Sequence, residues 1–315
     1  MIEAQIRNTD LDQSPPPIKI TSFRRILLRE ILMDTRAIIS LVVLIILMSI
    51  IFIGTAILGA EEVLAQFDIF NFNQAPTWWR WGHGPSATGG ILGTDGAGRD
   101  MLSLLIVSAR TSIVIGFSVS IINITIGLIV GLLAGYYGGH FDNVVMRILD
   151  MMTIVPTLMV MMVLRIMMAD FNIWNMIFIM TIFGWTGRAR YIRNLTLGQR
   201  IQDYVDASRT LGTRNIMIII KKIVPNLAAM ISADVVLTMS TSIGMETGLT
   251  VLGFGLPPGT PSLGNLIANA MVAANMQFRQ WNWLPAIILV FVLMCCISYV
   301  GQAVSRAANA QQRLS

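Results

Sequence analysis

Charged residues make up only 12% of this chain, so the positions they occupy limit the chemistry it can do. Glu246 sits in STSIGMETGLTVLGFGLPPGTPSLGN, among residues otherwise suited to lipid. An ionisable group is costly there and ordinarily faces a protein interior or a water-filled surface. Glu246 is therefore a candidate for lining or gating a path, with a structural hydrogen-bonding role as the competing reading. Met245 beside it, and Pro257 and Pro258 in the Gly- and Pro-rich loop that follows, complete this candidate gate. In LGTDGAGRD, Asp95, Arg99 and Asp100 could form a charge-assisted network that fixes a loop above the next apolar run. His83 and His140 are isolated, and Cys295 and Cys296 are neighbours that cannot bridge without strain, so no metal site and no catalytic residue is expected. No G-x-x-x-x-G-K-[ST] phosphate loop occurs, so ATP has no usual cradle in this chain.

A second constellation is DYVDASRTLGTRNIMIIIKKIVP, Asp203 to Pro225. Ile201, Tyr204, Val205, Ser208 and Leu211 fall on one helical face, and Gln202, Asp203, Asp206, Arg209 and Thr210 on the other. Gly212 can take the left-handed conformation that closes a helix. The expected product is a peg of about three turns, roughly 18 Å long at ~1.5 Å per residue.

The elements that position these groups are membrane spans. With 55% hydrophobic residues in 315 and a mean hydropathy of +0.69, the chain reads as an all-α integral membrane protein. Six apolar runs approach the ~20 residues a spanning helix needs: roughly 37–59, 107–133, 144–167, 172–188, 226–252 and 284–304. Basic residues cluster ahead of the first run, between the fourth and fifth, and after the sixth, which predicts a multi-pass protein with both termini and the peg on the cytoplasmic side. The net charge of +5 segregates by membrane side, which argues against a nucleic-acid partner. The expected organisation is a cytoplasmic tail at 1–36, a first span and external loop at 37–106, a core at 107–305 with the peg near 200–213, and a tail at 306–315.

Smaller features fill this frame. Pro15, Pro16 and Pro17 mark an extended tail. Trp78, Trp79 and Trp81, and later Trp281 and Trp283, suit headgroup depth. Gly127, Gly131 and Gly135 form a four-residue repeat that permits close helix packing. Arg147 and Asp150 are spaced for a local ion pair, Arg165 is expected to snorkel at an outer helix end, and the methionines of 151–180 suit packing or a tolerant surface.

The peg resembles the EAA signature of ABC importer permeases in Asp206, Ala207, Ser208, Gly212 and Pro225, with Asp206 replacing glutamate and Ser208 the second alanine. LGTDGAGRD, GYYGG and GLPPGTPSLGN resemble the dipeptide, oligopeptide and nickel branch, and the resemblance covers residues 92 to 302. It implies the type I importer permease fold. It also implies a coupling helix in which Tyr204, Asp206, Ala207, Ser208, Arg209, Leu211 and Gly212 meet an ATPase. The assembly so implied has a second, homologous permease, two ATPase subunits that hold ATP and Mg, an external substrate-binding protein and a peptide substrate. A secondary transporter or channel working without ATPases is the alternative; it predicts charged or unwound elements near the midplane.

Overall fold

The computed structural model describes residues 34–66, 68–76 and 90–314. The expectations for the proline tail, for Trp78, Trp79 and Trp81, and for His83 lie outside these residues. Helix α1 (Thr35–Leu58) opens with the Asp34 carboxylate accepting from the Arg36 amide, and ends at Gly59, where φ is 66°. A short α2 (Ala60–Ala65) and a 3-10 turn (Ile69–Asn71) follow it, ahead of the loop before the next long helix. Helix α3 (Met101–Tyr137) runs 37 residues, about 55 Å at the usual rise, and closes at Gly138 with φ 65°.

The run expected at 144–167 is not one straight helix. Helices α4 (Gly139–Ile154) and α5 (Thr157–Met167) meet at 75°. Pro156 is the cause: it offers no amide to the preceding turn, and its ring pushes Val155 into the extended conformation seen there (φ −71°, ψ 127°). Helix α6 (Ile173–Arg200) carries on well past the expected end at 188 and delivers the chain to α7 (Asp203–Thr210). From Asn215 to Val251 the helix is continuous, comprising α8 (Asn215–Ile218), a π-helical turn (Ile219–Ile223) and α9 (Val224–Val251). Pro225 has no N–H to give, and the widened turn lies immediately before it. After the loop come α10 (Leu263–Ala268), α11 (Ala273–Phe278) and α12 (Leu284–Leu314).

Among the described residues, four helices are long and apolar enough to span a bilayer, and the bent α4–α5 pair adds a fifth. The remaining expected span, 172–188, corresponds to the apolar first half of α6, whose second half carries Arg188, Arg190, Arg193 and Arg200.

The most extensive packing is between α3 and α6, and the glycine repeat permits it. A Cβ on Gly131 would lie 2.6 Å from the Ala189 carbonyl oxygen, and one on Gly135 2.8 Å from that of Arg193. Those neighbours are backbone and cannot swing aside. Because lipid tails are as apolar as side chains, such close approach, rather than hydrophobic burial, is what favours helix association here. Arginines of α6 then tie in other helices: Arg188 to Asp234 of α9 at 2.5 Å, Arg190 to Asp150 of α4 at 2.8 Å, and Arg193 to Asp142 of α4. Asp150 therefore pairs across helices and not with Arg147. Arg306 and Asp34 join α12 to the start of α1. The methionines divide: Met161, Met176 and Met180 are buried against Phe171, Leu249 and Leu256, whereas Met151, Met159 and Met167 are exposed.

Candidate functional site

At one end of the bundle, α7 hangs between α6 and the helix beginning at Asn215. Its 8 residues make about 12 Å of helix, shorter than the three turns expected. Val205 is fully buried with Leu132, Ile192 and Ile223, and Ser208 is buried beside it, donating to the Tyr204 carbonyl at 2.7 Å. The Tyr204 hydroxyl donates to Gln199 Oε1 at 2.7 Å, and partial burial pushes its pKa up. Asn226 donates to the same Gln199 oxygen at 2.5 Å, which links α6, α7 and α9.

Arg209 fixes the other flank. Its guanidinium lies 5.2 Å from the centre of the Tyr136 ring at the end of α3, within reach of a cation–π contact, and 3.2 Å from Asp206. The hydrogen bond to the Tyr136 hydroxyl, ahead of the Asp206 carboxylate, holds the Arg209 pKa above its ordinary value. That hydroxyl in turn donates to Asn215 Oδ1 at 3.0 Å. The peg is thus pinned to α3, α6 and the α8–α9 helix, by Tyr136, Gln199, Asn215 and Asn226, none of which the sequence reading singled out. The GYYGG context of Tyr136 was its only visible mark.

Gly212 ends α7 with φ 74°. The Gly212 amide donates to the Arg209 carbonyl at 2.9 Å and the Thr213 amide to that of Ser208 at 3.1 Å, which is the Schellman pattern. Asp206 and Ala207 face outward, and Leu211 at the tip is 84% exposed. Ile201 and Leu211, expected on the inner face, lie beyond the helix ends and are both exposed, because the period of 3.6 holds only within α7.

At the opposite end the carboxyl of Glu246 is sealed in, with the residue 0% exposed. Ser112 of α3 donates to its Oε2 at 3.0 Å and Thr250 to its Oε1 at 3.2 Å. Ser112 Oγ also accepts from the Leu263 amide at 3.1 Å, so one relay joins α3, α9 and the start of α10. In this conformation Glu246 staples helices together and faces no open path. Met245 is half-buried against the cluster around Leu249. Pro257 supplies a carbonyl that accepts from Thr260 and from the Asn265 side chain, both at 3.1 Å, and Pro258 is exposed. Arg165 reaches this loop, donating to the Gly255 carbonyl at 3.0 Å while stacking on Phe171.

The three residues of the GTDGAGRD loop do not form one network. Asp95 accepts from the Arg99 guanidinium at 2.8 Å and from the Ala97 and Arg99 amides. Asp100 turns away and caps α3, accepting from the Ser103 amide and hydroxyl at 2.8 and 2.7 Å. Trp281 is buried at 4% exposed, donating to the Thr94 carbonyl, so it locks this loop to the α12 entry instead of marking headgroup depth. Among the described residues no group of His, Cys, Asp and Glu is placed to hold a metal ion.

Residues 127–309 match the family described as binding-protein-dependent transport system inner membrane component. The oligopeptide transport system permease protein OppC of Lactococcus lactis subsp. cremoris is 40% identical over 228 residues, which cover 72% of this chain and 78% of that protein. OppC of Bacillus subtilis is 32% identical over 222 residues, covering 70% and 72%. Among solved structures, a chain of the inward-facing MetNI methionine ABC transporter superposes with a TM-score of 0.54 at 19% identity, covering 66% of this chain and 97% of that one. That likeness bears on fold alone, and supports the all-α, type I importer permease architecture. With more than half of its length matched by the family, and relatives at this identity, the chain belongs to the binding-protein-dependent transport system inner membrane components.

Proposed function

We propose that this chain is one permease subunit of an ATP-driven peptide importer and works beside a second, related permease. Two ATPase subunits would hold ATP and Mg, and an external binding protein would deliver the peptide. The similarity to oligopeptide permeases supports the substrate class. Both termini and α7 are assigned to the cytoplasmic side, because arginines and lysines from Arg188 to Lys222 surround the peg.

The observation that carries this reading is the construction of α7. An isolated 8-residue helix is not stable in water, so its rigidity comes from Val205, Tyr204, Arg209 and the Gly212 turn. Its outward face is left unfilled, with Leu211 84% exposed beside Asp206 and Ala207. Such a peg suits a groove on a partner. Since α6 enters it and the continuous Asn215–Val251 helix leaves it, displacement of the peg moves two long helices together. Hydrolysis on the ATPases would then shift the equilibrium between inward-open and outward-open states, which requires that the peg make different contacts in each.

The test is gentle solubilisation of the tagged chain from its native membrane, with mass spectrometry of what co-purifies. Two ATPase subunits and a second permease are expected. Recovery of the chain alone, under conditions that preserve a reference importer, would overturn the reading in favour of a transporter that works without ATPases.

A further inference from the structure

A polar cavity of about 600 Å³ opens at the root of the peg, where α6 passes into α7 and the Asn215–Val251 helix begins. Gln199, Gln202 and Tyr204 wall it on one side, and Lys221, Lys222 and Asn226 on the other. No carboxylate borders it. Lys221 and Lys222 are exposed and make no ion pair among the described residues. Gln199 Oε1 accepts twice, from Tyr204 and from Asn226, while the Gln199 amide nitrogen has no acceptor among the described residues. What the border offers a visitor is two positive charges beside amide groups, which suits an anion.

The helix brings the two lysines together in an uncommon way. Consecutive side chains of a regular α-helix diverge by about 100°. Lys221 and Lys222 belong instead to the π-helical turn Ile219–Ile223, which holds more residues per turn and narrows that angle. Both therefore border one cavity. Depth identifies the anion. The apolar stretch of the helix starts at Val224, two residues past Lys222. The headgroup layer is about 5–7 Å deep on each side of a bilayer, close to one helical turn, so the lysines stand among lipid headgroups. The anion always present at that depth is a phospholipid phosphate.

We propose that this cavity binds a phosphate group supplied by an anionic phospholipid of the cytoplasmic leaflet, and that the bound headgroup braces the root of the peg against the long helix. The choice of leaflet rests on the orientation proposed above. An anionic lipid is favoured over a zwitterionic one, because the choline or amine of the latter would bring a cation against two lysines. The brace follows from the walls: Gln202 and Tyr204 belong to the root of α7, and Lys221, Lys222 and Asn226 to the Asn215–Val251 helix, so one phosphate between them ties both. The face of α7 left for an ATPase is elsewhere, around Leu211 at its far end, about 12 Å along the helix.

The experiment titrates phosphatidylglycerol, and separately phosphatidylcholine, into the delipidated chain with its accompanying subunits, and counts bound lipids by native mass spectrometry. Phosphatidylglycerol should fill one site ahead of all others. Lys221→Gln or Lys222→Gln should weaken that site about fivefold, and both together about thirtyfold. The lysines are exposed, so these exchanges should leave the fold intact. Replacing both by arginine should keep the site, and Arg214→Gln, which removes the same charge outside the cavity, should not disturb it. In nanodiscs, uptake should be faster with equal parts phosphatidylglycerol and phosphatidylcholine than with phosphatidylcholine alone, and the double glutamine variant should lose that difference. Equal lipid affinity of wild type and the double variant overturns the proposal. Equal weakening by Arg214→Gln also overturns it, since attraction would then be diffuse. Inorganic phosphate that restores uptake in phosphatidylcholine discs would make a free anion the ligand, and loss of the ATPase from the double variant with lipid binding intact would make the cavity a protein contact; either result overturns it. If uptake is absent in every lipid while the first site still depends on both lysines, the importer reading fails and the lipid site stands.

Discussion

The helix from Asn215 to Val251 ends in two different ways. In the orientation proposed above, its outer end sinks Glu246 completely and ties it to Ser112 and Thr250, with Leu263 reached through Ser112. At its inner end it meets α7, which is pinned along one side and leaves Leu211 84% exposed. One end closes the hydrogen bonds of its carboxyl internally, and the other keeps a surface unfilled. The comparison implies a division: substitutions at the outer end should cost stability, and substitutions at the inner end should cost coupling.

The sharpest break of that division would be Glu246→Ala. It removes the acceptor for Ser112 and Thr250 and leaves a cavity, for a loss of about 2–4 kcal/mol. A lowered thermal unfolding midpoint of the purified assembly is the expected readout. Glu246→Gln, which keeps the size and one acceptor oxygen, should recover most of the loss. An alanine variant as stable as wild type would show that the outer end is not a staple.

Gly212→Val comes next. A β-branched residue at φ 74° costs roughly 1–2 kcal/mol of backbone strain, yet nothing lies within 4 Å of a Cβ there, so the bundle should hold while the turn after α7 is lost. ATP-driven uptake should collapse with membrane insertion unchanged. Gly212→Asn, which tolerates the left-handed region, should retain much of the activity.

How much of this was legible depends on how far apart the partners sit in sequence. The peg, its glycine and the α3–α6 glycine face are local patterns, and residues 203–212 and 127–135 display them directly. The break at Pro156 was also readable, since a proline and its restricted neighbour stood inside an apolar run. Glu246 was visible as a costly group, but its partner Ser112 is 134 residues away, and nothing local tells a sealed carboxyl from an open one. The same distance problem paired Asp150 with Arg147 when its partner is Arg190, 40 residues on. Asp100 was misread for a different reason: its spacing to Ser103 fits a helix cap as well as its charge fits an ion pair.

Arg209→Ala tests the inner end more gently. The cation–π contact with Tyr136 is partly exposed and contributes about 1 kcal/mol, whereas the neighbouring Asp206 pair, open to water, contributes little. A small loss of stability with a larger loss of uptake is expected, measured on the same reconstituted preparation. Equal fractional losses would mean that Arg209 serves the fold and does not orient the peg.

Leu211→Asp should have the smallest effect on the chain itself. Leu211 gives up almost no surface to the fold, so exchange there should shift stability by no more than about 0.5 kcal/mol. In the assembly the same side chain is expected to fill an apolar pocket on the ATPase, and burying a leucine is worth about 1.5–3 kcal/mol. A charge in that pocket should therefore weaken retention of the ATPase at least tenfold, read as loss of co-purification and of uptake. Leu211→Met should restore both, because it supplies similar apolar volume without the branch. If Leu211→Asp instead destabilises the isolated chain while the ATPase stays bound, the inner end is built like the outer one, and the contrast between the two ends fails.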